Sequence, residues 1–461
     1  MARTEASVAG AAQAAQSLAV RFGDRLVRSG DDGYDAARAV WNGMIDRRPA
    51  MIARCTSVDD VVAAVAFARR QALPVAVRGG GHGVAGRAVC DDGLVIDLGP
   101  MRWVRVDPEA KVAHVGPGAV GADLDRESQS FSLATTGGTD STTGVIGLSI
   151  GGGFGFLARR FGLAADNVLA AEVVLADGRI VRTGDDEHGD LLWALRGGGG
   201  NFGVVTELEL QLHPLGPEVA VAQVFHPCRS ATSALRQFRD FMAGAPDEVG
   251  AFALGVNVPP VAPFPEEHHG RTAIAVVAAY AGRPEEGVAA LAPLAEFGEP
   301  ILSAVAPMPY CALQQSFDAG SPPGQRYFWK SQYLTGLPDD AIDAFVGQID
   351  PLPGPFSAAW FEPLGGAIGR RDPDSTAFPH RLAAYNFAAQ AGWTDEADDE
   401  RAISWARAFN ASMRGFSTGG LYANYAGLDD TDRQRAFYGQ NYQRLAQVKA
   451  RYDPDGVFSR W

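Results

Sequence analysis

The chain has 461 residues, with 40 basic and 54 acidic side chains for a net charge of −14, and 46% of it is hydrophobic. That composition excludes a disordered chain, and the acidic balance argues against nucleic acid or an anionic membrane surface as a partner. Glycine stands out at 55 residues, against a usual share of about 7%.

Segment 7–28 reads as a modest amphipathic helix. Glu5, Arg21, Asp24 and Arg25 interrupt any signal-peptide pattern, and no apolar run approaches the roughly 18 residues of a membrane span. A cytoplasmic protein is the expectation. From 51 to 115 helix and strand alternate: a helix over 58–70, then strands at 74–77, 94–98, 104–106 and 112–115. A helix over 120–130 follows, then a hairpin of 168–175 and 180–181 about Asp177-Gly178 and a strand over 204–212.

The character changes at 214–218, where Pro214 and Pro217 bracket a glycine. Beyond it the sequence predicts strands at 219–225, 249–256, 272–280, 356–362 and 381–390, with helices such as 230–243. This is the pattern of an antiparallel sheet covered by helices. A charged amphipathic helix is predicted over 430–451. The whole is α+β. Cys55, Cys90, Cys228 and Cys311 stand far apart, which gives neither a disulfide framework nor metal spacing and favours a reducing compartment. His268-His269 and the separate His114, His188, His213 and His226 offer no metal signature, so no metal site is expected.

Eighteen glycines fall in three windows, 79–86, 137–155 and 197–203. The first reads RGGGHGVAG, the second GGTDSTTGVIGLSIGGGFG, and the third RGGGGNFGVVTEL. Glycine runs beside strands let backbone N–H groups approach an anion without side-chain interference. None carries the Gly-Lys-Ser/Thr ending of a Walker loop. The GxGxxG spacing at Gly81–Gly86 lacks the following helix and ribose-binding acid. Together the clusters indicate a composite site for an extended phosphate-bearing ligand.

RGGGH after PVAV, GGGFG, GGGGNFGVVT, and the C-terminal YANY and KARYDPDGVF resemble the berberine-bridge-enzyme-like branch of the vanillyl-alcohol-oxidase flavoproteins. The resemblance spans nearly the whole chain. It implies a PCMH-type FAD-binding domain over 1–215, a substrate domain over 216–415, and a segment 416–461 returning to the first domain. It places the cofactor against Arg78, Gly79, Gly80, Gly81, His82 and Gly83 of the first cluster. In the second it implicates Gly138, Thr139, Asp140, Thr143, Gly144, Gly147, Gly152, Gly153 and Gly155. The rest are Gly200, Asn201, Gly203, Val204 and Val205 of the third cluster, with Tyr422, Asn424 and Tyr425 near the C-terminus.

In the family the histidine of RGGGH bonds covalently to the flavin, which implies a link through His82; a neutral imidazole is a competent nucleophile for it. A second link runs from a cysteine in many members. Aligning the second cluster puts Asp140 at that position, so a single link is expected. Thr143 matches a position controlling dioxygen access, and its valine-like shape leans toward an oxidase.

Tyr422 matches the tyrosine often assigned as base, although a phenol with a reference pKa of about 10 needs its anion stabilised to serve. Glu362, His380 and Tyr385 are further catalytic candidates in strands expected to face the flavin; a buried Glu362 would be a second base. The implied activity is oxidation of a C–H bond beside an alcohol or amine of a metabolite, alkaloid amine or sugar, with hydrogen peroxide released. A dehydrogenase using another acceptor and a non-redox nucleotide-binding protein are the rival readings. Expected partners are a small-molecule substrate and dioxygen, with the chain a monomer or homodimer.

Overall fold

The structure is a computed structural model and describes all residues except 1–15, 17, 431, 432 and 459–461. Residues 7–15 and 17 of the helix expected over 7–28 therefore lie outside the described residues. Residues 18–22 are helical, but Leu26–Arg28 is a strand, paired with Met51–Arg54. The first sheet has four strands in the order Leu26–Arg28, Met51–Arg54, Leu94–Asp97, Val75–Arg78. Met51–Arg54 and Val75–Arg78 both run parallel to Leu94–Asp97. The helix Val58–Gln71 makes the crossover that a parallel pair requires. Ser57 caps it by accepting from the Asp60 N–H, and Val61, Ala64, Val65 and Ala68 form its buried stripe.

An antiparallel five-stranded sheet follows, in the order Val104–Asp107, Val112–Val115, Val204–Gln211, Val168–Val174, Ile180–Thr183. One core joins the two sheets, with Ile96 of the first packed in the same cluster as Val174 and Val204 of the second. The third sheet has seven antiparallel strands, in the order Leu302–Pro309, Glu218–Pro227, Thr272–Tyr280, Val249–Asn257, Ala358–Pro363, Tyr385–Trp393, Arg326–Leu334. Its side chains alternate with period two. Ala253, Val276, Phe361 and Phe387 meet helices such as Ala231–Gly244 and Asp339–Val346. Phe252, Leu254, Val277 and Trp360 form the opposite face. The two edge strands escaped the sequence reading: Leu302–Pro309 contains Pro307 and Pro309, which an edge tolerates.

The expected helix over 430–451 is broken. Gln434–Tyr438 and Tyr442–Tyr452 are separated by a 3-10 turn at Gly439–Asn441, where Gly439 takes a φ of +46°. Phe437, Leu445, Val448 and Tyr452 pack into the core that holds Leu191–Leu195 and Leu208. Among the described residues no helix is long and apolar enough to cross a membrane.

One buried ion pair links distant segments. Asp166 receives both terminal nitrogens of Arg381 at 2.6 and 2.7 Å, and both side chains are fully buried. Asp166 also accepts from the Leu163 N–H at 2.9 Å. Removing one partner of such a pair strands a charge in the interior. Replacing Arg381 with methionine is expected to cost about 3–5 kcal/mol in urea unfolding, and a loss under about 1 kcal/mol rejects this pair as a structural tie.

Candidate functional site

Between the glycine clusters and the bare face of the seven-stranded sheet lies a cavity of about 1250 Å³. Its first wall brings together Gly79, Gly80, Gly81, His82 and Gly83 with Gly138, Thr139, Asp140, Thr143, Gly144 and Gly147. Gly200, Asn201, Gly203, Val205, Tyr422, Asn424 and Tyr425 also line it.

The expected cofactor residues Arg78, Gly152, Gly153, Gly155 and Val204 do not line the cavity. Arg78 turns into the protein to pair with Asp97 at 2.9 Å. A side chain on Gly152 would meet Phe378 and Tyr422, one on Gly153 would meet Ala164, and one on Gly155 would stand 2.2 Å from the Gly137 carbonyl oxygen. Val204 sits in the core between the first two sheets.

The glycines of the wall do two different jobs. A Cβ on Gly80 would lie 2.5 Å from the Gly144 nitrogen, so these positions let the first and second clusters meet backbone to backbone. Gly83 and Gly147 have nothing within 4 Å of such an atom and leave room for a ligand. Among the described lining residues only Arg87 and Asp140 carry a full charge. Bare backbone, open space and one guanidinium suit an extended dinucleotide better than a compact polyanion.

His82 is held from three sides. Its ring stacks on Trp41 at 5.2 Å, and Trp41 stacks on Tyr327 at 4.0 Å. Nε2 lies 2.7 Å from the Thr142 hydroxyl and Nδ1 lies 3.4 Å from that of Thr143. Burial lowers its pKa, with Asp140 and Asp318 acting in the opposite direction. The imidazole is therefore neutral at neutral pH, the form that a nucleophile or a cofactor contact requires.

Tyr422 is buried against Phe154 and lines the cavity. Its oxygen accepts from the Gly153 N–H at 2.8 Å and from the Asn424 amide at 2.9 Å. Burial pushes its pKa up, Glu362 adds to the push, and the two donors oppose it. The phenol keeps its proton at neutral pH.

The structure corrects the other three catalytic candidates. Glu362 does not line the cavity; it is fully buried and accepts from the Asn386 amide at 3.1 Å. Burial pushes its pKa up to about 8, so it is a neutral acid at pH 7. Tyr385 lies on the helix-covered face with Phe361 and Phe387, because cavity-facing Gln390 is an odd number of residues along the same strand. His380 donates from Nε2 to the carbonyls of Ala436 and Phe437, both at 3.0 Å, which fixes it in the body of the protein.

Several site residues carried no sequence signal. Trp41 and Trp329 stand in segments without periodicity, and Gln223, Asn257 and Gln390 are isolated amides among apolar neighbours in their strands. Thr142 was within reach, because it lies between Asp140 and Thr143 in a hydroxyl-rich run. His114 is not isolated: it opposes Glu209 across strands and lies 2.8 Å from Glu207. Arg182 pairs with Glu209 at 2.9 Å, so His114, Glu207, Glu209 and Arg182 form a polar ladder on the five-stranded sheet.

Residues 49–184 match the FAD binding domain family, and residues 421–460 match the berberine and berberine-like family. The (R)-6-hydroxynicotine oxidase of Paenarthrobacter nicotinovorans is 30% identical over 438 residues, covering 93% of each chain. The crystal structure of 6-hydroxy-D-nicotine oxidase from Arthrobacter nicotinovorans superposes with a TM-score of 0.82 at 29% identity, covering 94% of this chain and 96% of that one. The glucooligosaccharide oxidase of Acremonium strictum, described with a 6-S-cysteinyl, 8α-N1-histidyl FAD, shares the fold. It has a TM-score of 0.84 at 24% identity, covering 97% of this chain and 98% of that one.

The buried acid gives a pH test. A carboxyl whose folded pKa is raised from 4.5 to about 8 contributes its stability below 4.5 and loses it as pH rises through about 8. Replacing Glu362 with glutamine is expected to raise the thermal midpoint relative to the wild type. The gap should open above about pH 4.5 and reach full size beyond about pH 8. A gap that is constant across that range places the Glu362 carboxyl in contact with water.

Proposed function

The chain belongs to the berberine-bridge-enzyme-like FAD-linked oxidoreductases, and on that premise we propose that it oxidises the C–H bond beside the nitrogen of a neutral, aromatic amine. Bound FAD supplies the hydride acceptor, held by the clusters around His82, Gly144 and Gly200. His82 forms the covalent link to it. That link is single: Asp140 stands where a second would form, and no cysteine lines the cavity among the described residues. Dioxygen accepts the electrons as hydrogen peroxide, with Thr143 on the cavity wall beside His82.

The observation that carries the amine reading is the absence of an ionised base on the substrate wall. That wall is Phe252, Leu254, Val256, Trp329 and Trp360, with the amides of Gln223, Asn257 and Gln390. No Asp, Glu, Lys or Arg belongs to it among the described residues. A carboxylate or ammonium entering there would lose its hydration without a partner. Hydride departure from an alcohol needs a group to take the hydroxyl proton. A neutral amine needs none, because its lone pair closes the C=N bond as hydride leaves. The cationic product then lies among the rings of Trp329, Trp360 and Tyr425, which meet edge to face. Tyr422 has both observed hydrogen bonds as acceptor and retains a proton to donate to the substrate.

The alcohol reading, with Tyr422 as base, makes the opposite prediction. Tyr422→Phe is expected to lower kcat on a neutral aromatic amine by about tenfold or less, whereas loss of a true base costs about 10²–10⁴-fold. For the wild type, kcat/KM should rise with pH through the amine's own pKa. A peroxidase-coupled assay reads both effects and the hydrogen peroxide itself. A loss above about 10²-fold in the phenylalanine variant, with the flavin spectrum intact, assigns the tyrosine as base and sinks the amine argument.

A further inference from the structure

We propose that Asp140 and Thr142 are positioning residues that decide which nitrogen of His82 is free to bond the flavin. The inference rests on the reading that His82 carries the covalent link.

Thr142 Oγ1 lies 2.6 Å from Asp140 Oδ1 and 2.7 Å from His82 Nε2. A hydroxyl has one proton to give. An ionised carboxylate can only accept, so the Thr142 proton goes to Asp140. Thr142 must then accept from His82, which places the imidazole proton on Nε2. In a neutral ring that leaves the lone pair on Nδ1. Among the described residues the hydroxyl that meets Nδ1 is that of Thr143, whose oxygen stands 3.4 Å away, a contact long enough to yield.

The orientation is fixed independently. Asp140 also accepts from Thr142 N–H at 3.0 Å and from Ser321 Oγ at 2.6 Å, which holds the carboxylate in place. Trp41 stacks on the imidazole and donates to the Ser321 carbonyl at 2.9 Å. Asp318, the other acid near His82, is engaged by the N–H and hydroxyl of Ser141 at 2.8 and 2.6 Å. Asp140 is thus the acid that acts on the imidazole, through a single intervening hydroxyl.

His82 Nδ1 gains a bond to the flavin 8α-methyl carbon as one C–H bond of that methyl breaks. The methyl hydrogen and the imidazole N–H proton leave as two protons and two electrons in all, and dioxygen takes them up as hydrogen peroxide. The Nε2–H proton departs along Thr142 toward Asp140, so the same pair that aims the ring also accepts its surplus charge.

The test measures attachment directly, without turnover. Apoprotein is mixed with saturating FAD, samples are quenched in denaturant over time, and flavin fluorescence of the protein band is read after electrophoresis. Asp140→Asn replaces an acceptor with a group that can donate, which reverses the relay and puts the proton on Nδ1. Thr142→Val removes the relay at nearly constant shape, and Thr142→Ser restores it. Attachment is expected to slow about tenfold or more in D140N and T142V and to stay near the wild-type rate in T142S. The absorbance of the native protein shows whether FAD is still bound in each variant. Nuclear magnetic resonance of the flavin-bearing peptide is expected to show the bond at Nδ1. A fluorescent wild-type band with D140N and T142V at the wild-type rate, or a bond at Nε2, overturns the relay alone. A dark wild-type band overturns the link to His82 and the relay with it.

Discussion

The site depends on one contact between two stretches of backbone. Gly80 and Gly144 meet so closely that a methyl group on either would stand within 3 Å of the other's main chain. Because they meet, the loop carrying His82 and the loop carrying Asp140, Thr142 and Thr143 form one wall. Every hydrogen bond to the imidazole crosses that seam. Glycine is therefore needed here for approach between chain segments, and a different set of glycines, Gly83 and Gly147 among them, leaves room for the cofactor. An excess of glycine beside an acidic net charge is then no contradiction. A wall built from main chain can face a diphosphate with one arginine.

The wall is useful only if the sheet opposite it stays at a fixed distance, and buried charges do that work. Asp166, in the turn after the second glycine cluster, closes on Arg381 at the mouth of a strand of the seven-stranded sheet. Lys449 reaches the Asn201 carbonyl of the third cluster at 2.6 Å and Asp453 at 2.6 Å, fastening the C-terminal helix to a cofactor loop. Lys330 bonds Asp430 at 2.8 Å near the chain's return. Two of the three lysines in the sequence are thus spent on internal ties. Such pairs are modest sources of net stability, yet expensive to break, which makes them suited to fixing a geometry.

How much of this was legible follows from how far each feature reaches along the chain. Glycine clusters, the composition break at 214–218 and the 58–71 crossover helix are local patterns, and the sequence shows them directly. His82 and Tyr422 were found because a short motif surrounds each. Glu362, Tyr385 and His380 were placed on strands expected to face the flavin; Glu362 does share the face of Trp360 without reaching the cavity lining, whereas Tyr385 takes the opposite face. Neighbouring residues on a strand point to opposite faces, so Gln390 faces the cavity while Tyr385 faces helices. No local signal distinguishes them until the register of the sheet is known. Trp41 was out of reach for another reason: it meets His82 only through the packing of the N-terminal segment on Tyr327. The edge strand Leu302–Pro309 was missed because it is largely exposed and carries prolines, and Arg326–Leu334 because Lys330, Ser331 and Gln332 interrupt an otherwise buried aromatic run.

The protonation states around the cavity point in a single direction. Burial keeps Glu362 protonated, His82 unprotonated and Tyr422 a phenol. Each shift favours the uncharged form, so three groups that could ionise are neutral together at pH 7. The one carboxylate on the wall, Asp140, is occupied by Thr142 and Ser321. Among the described lining residues no other carboxylate is present; His269, whose Nε2 donates to the Phe264 carbonyl at 3.0 Å, is the second imidazole on the cavity. On the proposed amine oxidation, the substrate's own lone pair does the work that a base would do for an alcohol, and the product cation meets the rings of Trp329, Trp360 and Tyr425.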